Sequence, residues 1–171
     1  MRLRRPIIFA LALFTVVVAS NTAEASSVGR SKKLGLGIML GAPSGFSLKY
    51  YLGQKSAVDF GAGIGWLGGS GVHIHADYLW HFMLARPAHF DLPLYVGVGP
   101  KLAIWFKDGR RYWGHKKGDG RVGLGVRVPI GLAFNLHKAP VDIFVEAVPG
   151  LGILPGIGMF VDGSVGVRYY F

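Results

Sequence analysis

The sequence predicts an all-β fold, and three observations predict it. Apolar and polar residues alternate with a period of two over most of the chain, which puts successive side chains on opposite faces of a strand. The 171 residues include 27 Gly and no Cys, so the chain is a poor helix former and no disulfide or thiolate site holds it together. The polar face of the alternating segments carries acids and bases in equal number, an arrangement suited to an interior where charges pair.

The first segment is an address. MRLRRP is followed by an apolar run between Arg5 and Ser20 and then by Ala23-Glu24-Ala25. The run is shorter than the roughly 20 residues a membrane helix needs, and a small-x-small site follows it. Residues 1–25 are therefore read as a secretory signal peptide and residues 26–171 as one domain outside the cytoplasm. The net charge of +10 would suit nucleic acid, but export leaves no nucleic acid to meet.

Eight segments then alternate, each bounded by Gly, Pro or a polar cluster. Residues 34–41 place Leu34, Leu36, Ile38 and Leu40 on one face, and GAPSG turns the chain into residues 45–52, where Phe46, Leu48, Tyr50 and Leu52 oppose Ser47, Lys49 and Tyr51. In residues 57–67, Val58, Phe60, Ala62, Ile64 and Trp66 oppose Asp59 and glycines. Residues 72–84 carry Val72, Ile74, Ala76, Tyr78, Trp80, Phe82 and Leu84 against His73, His75, Asp77 and His81. Residues 92–106 set Leu92, Leu94, Val96 and Val98 against Tyr95, Gly97, Gly99 and Lys101. Residues 122–136 read as one long strand with Arg127 and Asn135 on its polar side. Residues 141–148 and 162–171 complete the set, with Asp142, Glu146, Asp162, Arg168 and Tyr170 on the polar parity. Pro100 and Pro129 each remove a ladder hydrogen bond, so a bulge and a change of parity are expected near them.

The polar face decides which side is inside. It holds Lys49, Asp59, Asp77, Lys101, Arg127, Asp142, Glu146, Asp162 and Arg168, with Lys107 at its end: five bases and five acids among glycines. A sealed interior needs that balance, because an unpaired buried ion costs several kcal/mol. The apolar face then turns outward to lipid, with aromatic residues at segment ends as at a membrane interface. The expected architecture is an eight-stranded antiparallel up-and-down transmembrane β-barrel whose polar interior is a plug of side chains.

The ending VGVRYYF, with Val167, Tyr169 and Phe171 at alternate positions, resembles the terminal strand of the small eight-stranded outer-membrane barrels of Gram-negative bacteria, the group of the OmpA transmembrane domain and OmpX, and the likeness covers residues 33–171. GAPSGFSLKYYLG and VDIFVEAVPG are similar to an uncharacterised branch of that group. The resemblance implies that Val167, Tyr169 and Phe171 are an assembly signal for the barrel assembly machinery and that both termini face the periplasm. With Phe171 as the last residue, no counterpart of the peptidoglycan-binding domain of full OmpA is expected.

Gly53–Lys55, Arg86–Phe90 and His137–Pro140 then read as short turns, and Lys107–Arg121 and roughly Pro149–Val161 as outward loops. In the first of these loops Arg110, Arg111, Lys116, Lys117 and Arg121 surround Tyr112 and Trp113, a set suited to the phosphates and sugars of lipopolysaccharide. The uncharged stretch 147–161 contains Pro149 and Pro155 and is no membrane helix.

No enzyme is expected. Ser70 precedes His73 without a defined acid partner, and no helix follows any Gly-x-Gly pair. His73, His75, Asp77 and His81 would bind a metal only if a third ligand approached; hydrogen bonds to carboxylates such as Asp59 are the expected use, with no metal or other cofactor. The function expected is a monomeric outer-membrane protein with a structural or surface-interaction role, touching membrane lipid and lipopolysaccharide. The rivals are a narrow channel, a soluble lipocalin-like carrier and a lipid-modifying envelope enzyme.

Overall fold

The computed structural model describes residues 32–65, 70–106 and 122–171. These form nine antiparallel strands and, among the described residues, no helix. The strands are β1 Leu34–Gly41, β2 Ser44–Tyr51, β3 Ser56–Gly65, β4 Gly71–Ala85, β5 Phe90–Trp105, β6 Val122–Arg127, β7 Ile130–Leu136, β8 Val141–Leu154 and β9 Gly158–Tyr170. Neighbours in sequence pair in turn except β6 and β7, which each pair with β5 and β8, and β9 pairs back on β1 with Gly37 opposite Arg168, so the sheet closes into a ring.

The ninth strand comes from the segment expected as one strand over 122–136. Pro129 has no N–H to give the ladder, and the segment divides there into β6 and β7. Both halves lie between β5 and β8 and so share one lane of the ring. The expected change of parity does not occur: Arg127, Pro129 and Gly131 are buried while Val128 and Ile130 are exposed. Pro100 sits in an unbroken β5, opposite Val126, again with parity intact. A proline's fixed φ is compatible with extended backbone, so it removes a donor without turning the following side chains over.

A second correction concerns residues 149–161, expected as a loop. They are strand on both sides of a three-residue turn, with Gly150 paired to Phe160, Leu151 to Met159 and Gly152 to Gly158. Ladder bonds come from the backbone, and a lack of charge does not weaken them. At the β1–β2 hairpin, Gly41 adopts φ 141°, a conformation open to glycine, and its N–H donates to Ser44 Oγ at 2.9 Å.

Interior room is made by glycines set directly across from rings. Gly35 faces Tyr170, Gly61 faces His75, Gly131 faces Tyr95 and Gly166 faces Phe144. A Cβ at any of the four would run into the opposing ring. Gly131→Val is therefore expected to lower stability by about 1–3 kcal/mol through overpacking. At Gly163 an added Cβ meets its nearest neighbour, the Glu146 carbonyl oxygen, at an ordinary 3.5 Å, so Gly163→Ala should stay within about 0.5 kcal/mol. Paired urea midpoints check both values.

Candidate functional site

Alternation sends every second side chain of the ring inward, and the inward set is where chemistry collects. All nine charges assigned to that face by sequence, Lys49, Asp59, Asp77, Lys101, Arg127, Asp142, Glu146, Asp162 and Arg168, are buried. They form linked clusters. Arg168 Nη2 pairs with Asp59 Oδ1 at 2.9 Å and its Nη1 with Asp142 Oδ2 at 3.5 Å, while its Nε donates to Ser47 Oγ at 2.7 Å. Its guanidinium also lies over the Phe144 ring, 3.8 Å from the centroid. Tyr170 completes this cluster by donating its hydroxyl to Asp142 Oδ2 at 2.7 Å.

Arg127 ties the neighbouring cluster. Its Nε lies 3.2 Å from Asp77 Oδ2 and its Nη2 3.2 Å from Glu146 Oε1. Glu146 also accepts from Ser164 Oγ at 2.9 Å and from Tyr95 Oη at 3.0 Å. Lys101 pairs with Asp162. Lys49 differs: its Nζ sits over Tyr51 and Tyr95, 5.3 and 4.7 Å from the ring centroids, and so uses aromatic faces in place of a carboxylate oxygen. Ser47, Tyr51, Tyr95, Asn135, Ser164 and Tyr170 belong to the same buried set, although sequence reasoning gave them no role. Their signal was their parity, which they share with the charges.

The histidines depart from expectation. His73, His75 and His81 are buried, yet among the described residues no ring nitrogen of His73 or His75 has a hydrogen-bond partner, Asp59 included. An imidazole nitrogen and one carboxylate oxygen each from Asp59 and Asp77 lie within 4.8 Å of one another, so the third ligand that the β4 histidines lacked in sequence arrives from β3.

A different histidine closes one end of the ring. In the turn after β7, His137 Nε2 lies 3.0 Å from Asp91 Oδ1 and its Nδ1 3.2 Å from the Ala88 carbonyl oxygen. The Asp91 bond raises the His137 pKa above its ordinary 6.5, against desolvation and the nearby positive charge of Arg86. A group whose pKa is raised by folding contributes stability that is fully present below its unfolded pKa and is lost as pH rises through the folded one. The unfolding midpoint should therefore fall as pH climbs past 6.5, and His137→Gln should flatten that dependence; urea titrations at several pH values read it directly.

Outside the described residues lie the predicted leader 1–25, Trp66, and the whole of Lys107–Arg121 with Arg110, Arg111, Tyr112, Trp113, Lys116, Lys117 and Arg121. Val167 and Tyr169 project outward from β9, and Phe171 follows it, its ring 5.0 Å from that of Tyr169. No curated protein and no solved structure is matched by this chain. A family model, in contrast, matches residues 25–170, from the last residue of the predicted leader to the end of β9. The chain belongs to the family described as "Protein of unknown function (DUF3996)".

Proposed function

We propose that this chain is an integral outer-membrane β-barrel of eight transmembrane strands, with β6 and β7 sharing one crossing, and that its role is structural or one of surface interaction. It is exported by residues 1–25, resembles the OmpA and OmpX group, and meets lipopolysaccharide or another surface ligand through Lys107–Arg121. The observation that carries this reading is the polarity of the two faces. Among the described residues, no charged side chain lies on the outward face of any strand, while Leu40, Phe46, Ile64, Val145 and Val165 do. Water would drive those groups inward; acyl chains hold them outward.

Two further features support it. The described exposed charges, Lys33, Lys55, Arg86 and Lys138, all lie before β1 or in the turns at the same end of the ring, flanking the apolar band. Outward aromatic residues gather toward that end, with Tyr78 against Trp80 at 4.8 Å and Lys32 over Tyr169 at 5.6 Å. Such a basic and aromatic border suits a lipid headgroup region. The interior is occupied by buried salt-bridged side chains, which favours a plug over a channel, and the role proposed is not catalytic.

Expressed with its leader in a Gram-negative host, the protein is expected in the outer-membrane fraction, with a gel mobility that differs between boiled and unboiled samples. Deleting Phe171 should leave it unassembled. Recovery of the intact chain as a soluble protein without heat-dependent mobility would overturn the reading.

A further inference from the structure

Asp59 on β3 and Asp77 on β4 are direct cross-strand partners, and His75 stands two residues before Asp77 on the same inward face, opposite Gly61. Because Gly61 has no Cβ, the His75 ring lies over it; a side chain there would collide with Cε1 and Nε2 of the imidazole. The ring is thereby carried from its own strand onto β3, the strand of Asp59. Asp59, His75 and Asp77 are each 3% exposed or less, and one donor atom from each lies within 4.8 Å of the other two.

The carboxylates are already positioned, Asp59 by Arg168 and Asp77 by Arg127. Yet among the described residues both His75 nitrogens and both Asp77 oxygens have no hydrogen-bond partner, the nearest approach between the two side chains being His75 Nε2 to Asp77 Oδ2 at 3.9 Å. Buried polar groups are nearly always satisfied, so a buried imidazole with neither nitrogen bonded calls for a partner of another kind. His73 is unbonded in the same way, but His75 differs in standing beside two carboxylates with a donor atom of each in reach.

We propose that Asp59, His75 and Asp77 form a buried site for a divalent first-row transition-metal ion, which ties β3 to β4 inside the ring. One imidazole with two carboxylates and no sulfur suits zinc or manganese better than calcium, which takes six to eight oxygens, or copper(I), which selects thiolate and thioether. The closed ring and the side chains on the page carry this site, whatever solvent surrounds the outer face. It therefore stands or falls separately from the membrane reading.

The test uses the full-length chain without a histidine tag, purified in detergent, equilibrated with Zn²⁺ and freed of excess metal. One zinc per chain is expected by elemental analysis, with an absorption-edge spectrum showing one imidazole nitrogen and oxygen donors near 2.0 Å. His75→Gln and Asp77→Asn should each weaken zinc binding at least about tenfold against a chromophoric chelator. His73→Gln, on the same face of β4, and His137→Gln, at the turn, should leave it unchanged. A wild-type chain that retains no zinc overturns the proposal, as does undiminished binding by His75→Gln or loss in His137→Gln instead. If His75→Gln fails to fold, the wild-type spectrum decides: a coordination shell without imidazole overturns it equally.

Discussion

Replacing Arg168 with leucine is expected to cost about 3–5 kcal/mol, enough to deplete the folded form. Arg168 holds Asp59 and Asp142 at once and bonds Ser47, so its removal strands two buried carboxylates that no solvent reaches. The loss of the attraction itself is the smaller part; the larger part is the desolvated charge left behind. Lysine at this position keeps the charge but has no fork to serve two carboxylates and a hydroxyl together, so Arg168→Lys should fall between wild type and leucine. Adding Asp142→Asn to Arg168→Leu should recover part of the loss, because one stranded charge is then gone. Urea unfolding followed by loss of the compact gel band measures all four proteins. A leucine variant with the wild-type midpoint would show that the ion cluster contributes nothing.

The second large effect is on the opposite face. Val145 lies outward on β8, between Leu132 on β7 and Val165 on β9. If that face meets hydrocarbon, Val145→Arg should destabilise by about 2–4 kcal/mol, the cost of a guanidinium near the bilayer midplane. If it meets water, the change should stay within about 0.5 kcal/mol, as for an ordinary surface position. An arginine at Leu52, in the turn after β2, serves as the control and should cost no more than about 1 kcal/mol. Refolding equilibria in lipid vesicles separate the two outcomes by more than their error.

Strand positions were legible because the side-chain period of a strand is local. Residues 72–84 alternate so strictly that β4 and its inward His73, His75, Asp77 and His81 follow from composition at each position. The segments that misled did so for identifiable reasons. Residues 122–136 alternate without a break, and alternation carries no information about a missing N–H at Pro129. Residues 149–161 lack charge and are rich in Gly and Pro, which are turn signals, yet β8 and β9 run through most of them because each finds a backbone partner in the other. Asp91 was passed over by starting a strand at residue 92, although it shares the parity of Tyr95 and Gly97 and lies in β5.

The candidate metal site divides in the same way. His75 and Asp77 were visible as an i, i+2 pair on one face. Asp59 was visible as an interior carboxylate, but that it faces Asp77 across the β3–β4 ladder depends on register, which period two alone does not contain. That His73 and His75 meet no hydrogen-bond partner among the described residues was invisible in sequence, since it depends on where every neighbouring donor and acceptor comes to rest.

By itself, then, the sequence determined the face on which each side chain lies, because adjacent residues in extended backbone point to opposite sides whatever the rest of the chain does. It also determined that one face is ionic and the other apolar. Only the tertiary structure decided which ion meets which. Arg168 bonds Ser47 across 121 residues, a contact that exists because β9 returns to pair with β1 and closes the ring. Partners across such a closure are set by the stagger of all the strands together, and no local window of the sequence contains it.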